Sequence, residues 1–138
     1  MSFRICRTND IELVKSLDAG IFEEGLYGME QAAWWLVWHK GLPVGYAGVM
    51  EHTKKYAYLC RAGVIPEFRG HGLQRKLIRK RIDYAKSLDY KGVVTYTISS
   101  NNPSSNNLIK EGFLLFDPLE PWSVEDEPVL YWIKEFRE

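Results

Sequence analysis

Phe3 to Arg7 alternates apolar and polar residues with period two, the mark of a half-buried strand. Thr8-Asn9-Asp10 then offers helix-capping oxygens ahead of Ile11, Leu13, Val14 and Leu17, which are spaced as one face of a helix. Ala19 to Glu30 is interrupted by glycines and reads as a loop with a short helix. Trp34 to Trp38 and Val44 to Glu51 flank Lys40-Gly41-Leu42-Pro43, which predicts a hairpin with aromatic and β-branched arms. Tyr56 to Ile65 is another strand, ended by Pro66. From Gly72 to Leu88 the positions Leu73, Leu77, Ile78, Ile82, Ala85 and Leu88 trace one helix face, with Arg75, Lys76, Arg79, Lys80, Arg81 and Lys86 mostly elsewhere. Lys91-Gly92 ends that helix. Val93 to Ile98 reads as a buried strand, Ser104 to Glu111 as a short helix closing at Gly112, and Val129 to Phe136 as a last strand. This order predicts an α/β (α+β) fold around a mixed sheet, in which Tyr56 to Ile98 forms a parallel, right-handed strand–helix–strand unit.

The chain has 138 residues, a length that predicts one domain over 1–138. Neither linker composition nor repeats divide it. With 18 Lys+Arg against 18 Asp+Glu, it lacks the excess of positive charge that bulk nucleic-acid binding requires. Ala32 to Trp38, the longest strongly apolar run, is far short of the ~20 residues that span a bilayer, and the first ten residues lack a signal peptide's apolar core, so a cytoplasmic location and no membrane partner are expected. Cys6 and Cys60 have no paired ligand spacing and read as small buried apolar residues. His39, His52 and His71 form no metal-binding grouping, so no metal is expected. The aromatic residues Trp34, Trp35, Trp38, Tyr46, Tyr56 and Tyr58 fall on strands with alternating faces and read mostly as core or sheet surface.

Val64-Ile65-Pro66-Glu67-Phe68-Arg69-Gly70-His71-Gly72-Leu73-Gln74-Arg75 carries the chemistry. A strand ends at proline and a glycine-containing turn opens a basic helix. Free backbone N–H groups and the positive end of the helix dipole then converge on one point, an anion site suited to phosphate or pyrophosphate. Between Arg69 and Lys91 stand eight basic residues and two acidic ones. A Walker A loop would need Gly-Lys-Ser/Thr, which is absent, and a dinucleotide fingerprint would need a third glycine where Arg75 stands. A solvated basic face with a glycine turn is the plainer alternative.

Val64 to Ile78 resembles the acetyl-CoA motif of the GNAT superfamily of N-acetyltransferases, Val-x-Pro-x-Tyr/Phe-Arg/Gln-x-x-Gly-x-Gly/Ala, with Val64, Pro66, Phe68, Arg69 and Gly72 in register and Gln74 replacing the final small residue. The asparagine-containing turn and Gly112-Phe113 are similar to the family's second segment. The resemblance implies a mixed, mostly antiparallel central sheet flanked by helices, with a splayed parallel strand pair that admits the pantetheine of acetyl-CoA, the cosubstrate. It also implies that Ala62, Gly63 and Val64 bond the pantetheine amides, that Gly70, His71, Gly72, Leu73, Gln74 and Arg75, with Arg69, cradle the pyrophosphate, and that Asn101 or Asn102 with Ser104 or Ser105 contacts the pantetheine and adenine side.

The resemblance breaks at the acid and the base. Many members place a tyrosine seven residues after the asparagine; here those positions hold Leu108 or Ile109. The base glutamate of some N-terminal acetyltransferases, five residues before it, is replaced by Tyr96 or Thr97. Catalysis then rests on proximity and thioester polarisation, or on Tyr96, or on Glu51 and His52 acting through water, or the protein binds an acyl-CoA without catalysis. The expected reaction is direct transfer of acetyl to a primary amine of a small molecule, peptide N-terminus or lysine; a non-catalytic acyl-CoA-binding regulatory module is the alternative. Glu23 and Glu24 in the first loop, with Trp122, Glu125 and Asp126 in the loop from Asp117 to Pro128, are the candidate acceptor site, an acidic rim suited to a cationic amine. Acceptor identity, acyl chain length and oligomeric state, a homodimer included, are open at this level.

Overall fold

The computed structural model describes residues 2–137. Its elements run β1 (Arg4–Thr8), α1 (Ile11–Ala19), β2 (Ala33–His39), β3 (Leu42–Glu51), β4 (Tyr56–Val64), α2 (Leu73–Ser87), β5 (Gly92–Ile98), α3 (Asn102–Lys110), β6 (Leu114–Leu115) and β7 (Val129–Glu135), with a 3-10 turn over Pro66–Phe68 between β4 and α2. One sheet holds the strands in the order β1-β2-β3-β4-β5-β7-β6. Among the described residues only β4 and β5 are parallel neighbours; the other pairs are antiparallel. The architecture is thus the mixed, mostly antiparallel sheet with one parallel pair that the sequence predicts.

Local chemistry explains most boundaries. Asp10 accepts the Leu13 N–H at 3.1 Å and starts α1. Lys40 and Gly41 both take positive φ, 49° and 78°, the geometry that lets a two-residue turn match the twist of β2 and β3. Along β2 the side chains alternate between two cores. Trp35 and Val37 join Leu73, Leu77 and Ile82 of α2 on one face, while Trp34 and Leu36 meet Val14 of α1 and Tyr46 on the other. Burying a side chain such as Leu77, fully inaccessible in the α2 face, contributes about 1.5–3 kcal/mol.

The structure corrects several expectations. Residues 20–32 contain only turns and bends, with no short helix. The helix α3 starts at Asn102 rather than Ser104, because Asn101 caps it and Pro103 is tolerated in a first turn. The two-residue β6 carries no periodicity to read, and Leu114 and Leu115 are exposed. Cys6 and Cys60 are half-buried. Arg81, placed by its charge among the solvent-facing residues of α2, is 3% exposed.

Two irregularities shape the middle of the sheet. The β4–β5 ladder covers only Tyr56 to Tyr58 against Gly92 to Val94, and the Thr95 hydroxyl then donates to the Leu59 carbonyl at 2.8 Å. Beyond that point the ladder ends and the strands part. On the other side of β4, Ala47 pairs with Ala62 and Val49 with Leu59, so Cys60 and Arg61 bulge opposite Gly48 alone.

Candidate active site

The chain leaves β4 through Pro66 and reaches α2 by way of Gly70 and Gly72, at φ 87° and 72°. A Cβ at either would meet nothing within 4 Å, so the turn needs glycine for its left-handed backbone and not for lack of space. Gly72 is the N-cap and no side chain caps the helix. The first helical hydrogen bond runs from the Lys76 N–H to the Gly72 carbonyl at 3.2 Å. The N–H groups of Leu73, Gln74 and Arg75 therefore have no partner within the helix and project from its positive end.

These groups border a groove of about 720 Å³. Ala62, Gly63, Val64, Arg69, Gly70, Gly72, Leu73, Gln74 and Arg75 line one wall; Asn101, Pro103, Ser104, Asn106, Asn107 and Lys110 line the other, with Ile21 and Phe22 alongside. Ala62, Gln74, Ser104 and Asn107 also line a second cavity of about 130 Å³. The two are contiguous, and the inner one is sunk where β4 and β5 part, against Leu59, Cys60, Ile78, Arg81 and Thr95 to Thr97. Gly63 has no room for a side chain because the Tyr46 hydroxyl would lie 2.7 Å from its Cβ.

A buried polar chain holds the second wall. Trp132 Nε1 donates to Thr97 Oγ1 at 2.9 Å, and that oxygen lies 3.1 Å from Ser105 Oγ, linking β7, β5 and α3. Glu111 joins α3 to α2, receiving Arg75 Nε at 2.7 Å and Arg79 Nε at 2.8 Å. The Arg79 side chain beside it holds the Glu111 carboxyl below the usual carboxylate range, and Arg75 adds to this.

Strand alternation sends Tyr58 and Tyr96 to the face away from α2 and α3. They stack at 6.1 Å between ring centroids, and Trp122 covers both at 5.8 and 6.2 Å. His52 lies 4.3 Å from Trp122, and Tyr131 lies 4.7 Å from it. Among the described residues, no acceptor meets the buried Trp122 indole N–H within hydrogen-bond geometry. Burial, with Tyr96 close by, pushes the Tyr58 hydroxyl far above the ordinary phenol range, and partial burial holds His52 below its usual value.

Next to the bulge, Tyr46 donates to Asp18 Oδ1 at 2.5 Å, and Arg61 Nε lies 3.1 Å from the same oxygen as an ion pair in which Nε makes no hydrogen bond. Another guanidinium nitrogen of Arg61 donates to the carbonyls of Glu24 and Gly25 at 2.9 and 3.3 Å, and the group sits 4.2 Å from the Phe22 ring. The loop after α1 is thereby tied to the bulged strand.

Residues 6–113 match the model of the acetyltransferase (GNAT) family. The chain belongs to that family. Solved structures of GNAT-like fold cover nearly all of it. An IAA acetyltransferase from Bacillus cereus ATCC 14579 superposes with a TM-score of 0.82 at 18% identity, covering 98% of this chain and 100% of its own. The ribosomal-protein-S18-alanine N-acetyltransferase from Escherichia coli gives 0.78 at 15%, covering 97% and 94%. Arabidopsis thaliana Naa50, in complex with the bisubstrate analogue CoA-Ac-MVNAL, gives 0.81 at 17%, covering 99% and 100%. No curated protein matches by sequence.

Within this GNAT fold the candidate residues separate clearly. The turn and α2 residues gather on the groove, with the exception of His71, which contacts Phe3. Asn101 lines the groove and caps α3 through its side chain, accepting the Ser104 N–H at 3.2 Å; Asn102 does not line it. Ser104 lines it too, whereas Ser105 is buried in the Thr97 pair. Arg69 Nε folds back onto the Val64 carbonyl at 3.0 Å. Tyr96 and His52 join the aromatic face with Trp122, but the Glu51 carboxylate accepts from Tyr90 at 3.2 Å and is not brought to the groove. Glu23 and Glu24 line a separate cavity of about 540 Å³ under the first loop, and Asp126 and Glu127 are exposed. Glu111, the last residue of the predicted short helix, clamps α3 to α2. Arg81, Tyr58, Asp18 and Arg61 are the residues sequence reasoning missed; of these only Arg81, four residues from both Leu77 and Ala85, stood at a position that a readable period marks as buried.

Proposed function

We propose that this GNAT protein transfers an acetyl group from acetyl-CoA to a primary amine. The observation that carries the reading is the continuous groove from the uncapped start of α2 into the split between β4 and β5. The N–H groups of Leu73, Gln74 and Arg75 with the helix dipole suit a pyrophosphate. The pantetheine follows the shared walls at Ala62, Gln74, Ser104 and Asn107, which brings the thioester to the bulged strand, where a backbone N–H can polarise its carbonyl. An amine nitrogen arriving from the aromatic face attacks the carbonyl carbon. The C–N bond forms, the C–S bond breaks, the sulfur leaves with the electron pair, and the proton given up by the ammonium balances the thiolate. Holding both reactants in place supplies several kcal/mol of the barrier reduction without a dedicated acid. His52, held towards its neutral form, and Tyr96 border that approach.

The acceptor side suits a cationic amine, through Trp122 and Tyr96 ring faces and the acidic loop with Glu125 and Asp126. The protein acts in the cytoplasm as a single domain. Single-turnover mixing with acetyl-CoA and a panel of amines, read by mass spectrometry, tests the reading: one added acetyl group supports it, and CoA binding without transfer to any amine overturns it. That second outcome would fit a binding module, which the rings packed over Tyr58 and Tyr96 favour, since they fill the amine's approach.

A further inference from the structure

We infer that Arg81 selects the acyl group of the donor, and that the inner end of the groove receives an acyl chain ending in a carboxylate, of the malonyl or succinyl class. The inference rests on the proposal that the groove holds an acyl-CoA and concerns only the part beyond the thioester.

Arg81 occupies a position that the pattern of α2 assigns to an apolar side chain. Leu77 and Ala85, one turn to either side, are fully buried, as are most residues of that face. Arg81 is buried with them and lines the inner cavity. Its Nε donates to the Leu77 carbonyl at 3.2 Å and Nη1 to the Gly48 carbonyl at 3.1 Å, Gly48 being the residue left alone opposite the bulge. Guanidinium has five N–H donors, and these two bonds engage two. The ion pairs among the described residues are those of Arg61, Arg75 and Arg79, so Arg81 has no carboxylate partner. Its ionisable neighbours are Cys60 and Tyr58, and burial pushes the hydrogen of each further onto the neutral form. Burial also pulls Arg81 down to about 10, which leaves it charged at neutral pH.

A buried cation without an anion is costly, and a ligand carboxylate is the group that would compensate it, through paired N–H···O bonds. Room is available. The cavity of about 130 Å³ is comparable to the ~150 Å³ void that takes up benzene, more than a two-carbon acetyl fills. Polar residues line it, Thr95 and Thr97 within and Gln74, Ser104 and Asn107 towards its mouth. The chemistry of transfer is unchanged. The C–N bond forms and the C–S bond breaks at the thioester, while the distal carboxylate stays bound to Arg81 and takes no part.

The test is calorimetric titration of the full chain with CoA, butyryl-CoA and succinyl-CoA, the last two differing at the chain end. Succinyl-CoA should bind at least tenfold more tightly than butyryl-CoA to the wild type. Arg81→Met should erase that ratio while binding CoA itself within twofold, and Arg81→Lys should keep part of it. Equal or weaker binding of succinyl-CoA by the wild type, or a ratio that survives in Arg81→Met, overturns the inference. The wild-type ratio decides the matter even if Arg81→Met fails to fold. Binding of no CoA species overturns both readings, whereas CoA binding without a carboxylate preference overturns this one alone.

Discussion

The two sides of the parted strands are built in opposite ways. The groove side draws mainly on two contiguous stretches, 62–75 and 101–110, with Ile21 and Phe22 alongside, and leaves backbone N–H groups free. The aromatic side draws His52, Tyr58, Tyr96, Trp122 and Tyr131 from five separate places and fills itself with rings. A site made of local backbone geometry is stiff and tolerant of side-chain identity; one made of distant side chains changes with each of them. The first therefore suits a ligand common to many relatives, and the second suits an acceptor particular to this chain.

The sharpest way to break this contrast is Gly72→Val. A β-branched residue at φ 72° is strained, so the free N–H groups should move. At a CoA concentration 100 times the wild-type Kd, the wild type should gain about 2.7 kcal/mol of stability and the variant none, measured by denaturant unfolding with and without CoA. An undiminished gain would detach the pyrophosphate from this turn.

Thr97→Val tests how the second wall is held. It removes the oxygen that Trp132 donates to and that Ser105 contacts, so urea unfolding should show a loss of about 1–3 kcal/mol. CoA binding should weaken as well. A neutral result would mean that α3 is held by packing alone.

Trp122→Ala addresses the other side. The kcat/KM for the amine should fall about tenfold, equivalent to ~1.4 kcal/mol, while the Kd for CoA stays within about twofold. If turnover instead rises, Trp122 is a cover over the acceptor path and not part of its wall.

Acidification should destabilise the fold in two windows. His52 lies below its usual 6.5 in the folded state, so the unfolded chain binds more protons there and stability falls as pH drops through 6.5 towards the folded value. Glu111, held below 4.5, repeats this in the lower window. His52→Gln and Glu111→Gln should each flatten one window in a series of pH-dependent melts. Glu111→Gln also releases Arg75 beside the groove, and CoA should bind about two- to threefold more tightly at low salt.

Changing Glu125, Asp126 and Glu127 to their amides should have the smallest effect. Asp126 and Glu127 are exposed and Glu125 is half-buried; charges at such a surface are screened, so kcat/KM for a cationic amine should fall less than about threefold and the difference should vanish at high salt. A large, salt-resistant loss would place these carboxylates against the acceptor.

Sequence alone determined the order of the elements apart from β6 and the short helix expected before β2, and it determined the Gly70-Gly72 turn and the basic helix, because each depends on residues within a few positions of one another. It also carried the family likeness, through Val64, Pro66, Phe68, Arg69 and Gly72. Which wall a residue joins was another matter. Asn101 and Asn102 are equivalent as letters, and only the start of α3 separates the cap from the first helical residue. Ser104 and Ser105 differ by about 100° around the helix, which sends one to the groove and the other to Thr97. Glu111 stands in an acidic region of sequence but meets Arg75 and Arg79 across 36 and 32 residues. Arg81 obeyed the helical period while its charge argued against burial, and it was the bulge at Gly48, formed between two strands far away in sequence, that supplied the carbonyl to receive it. Backbone torsion and capping are local energies that a short segment decides by itself; charge pairing, ring clustering and burial belong to surfaces that exist only once the sheet has closed on its helices.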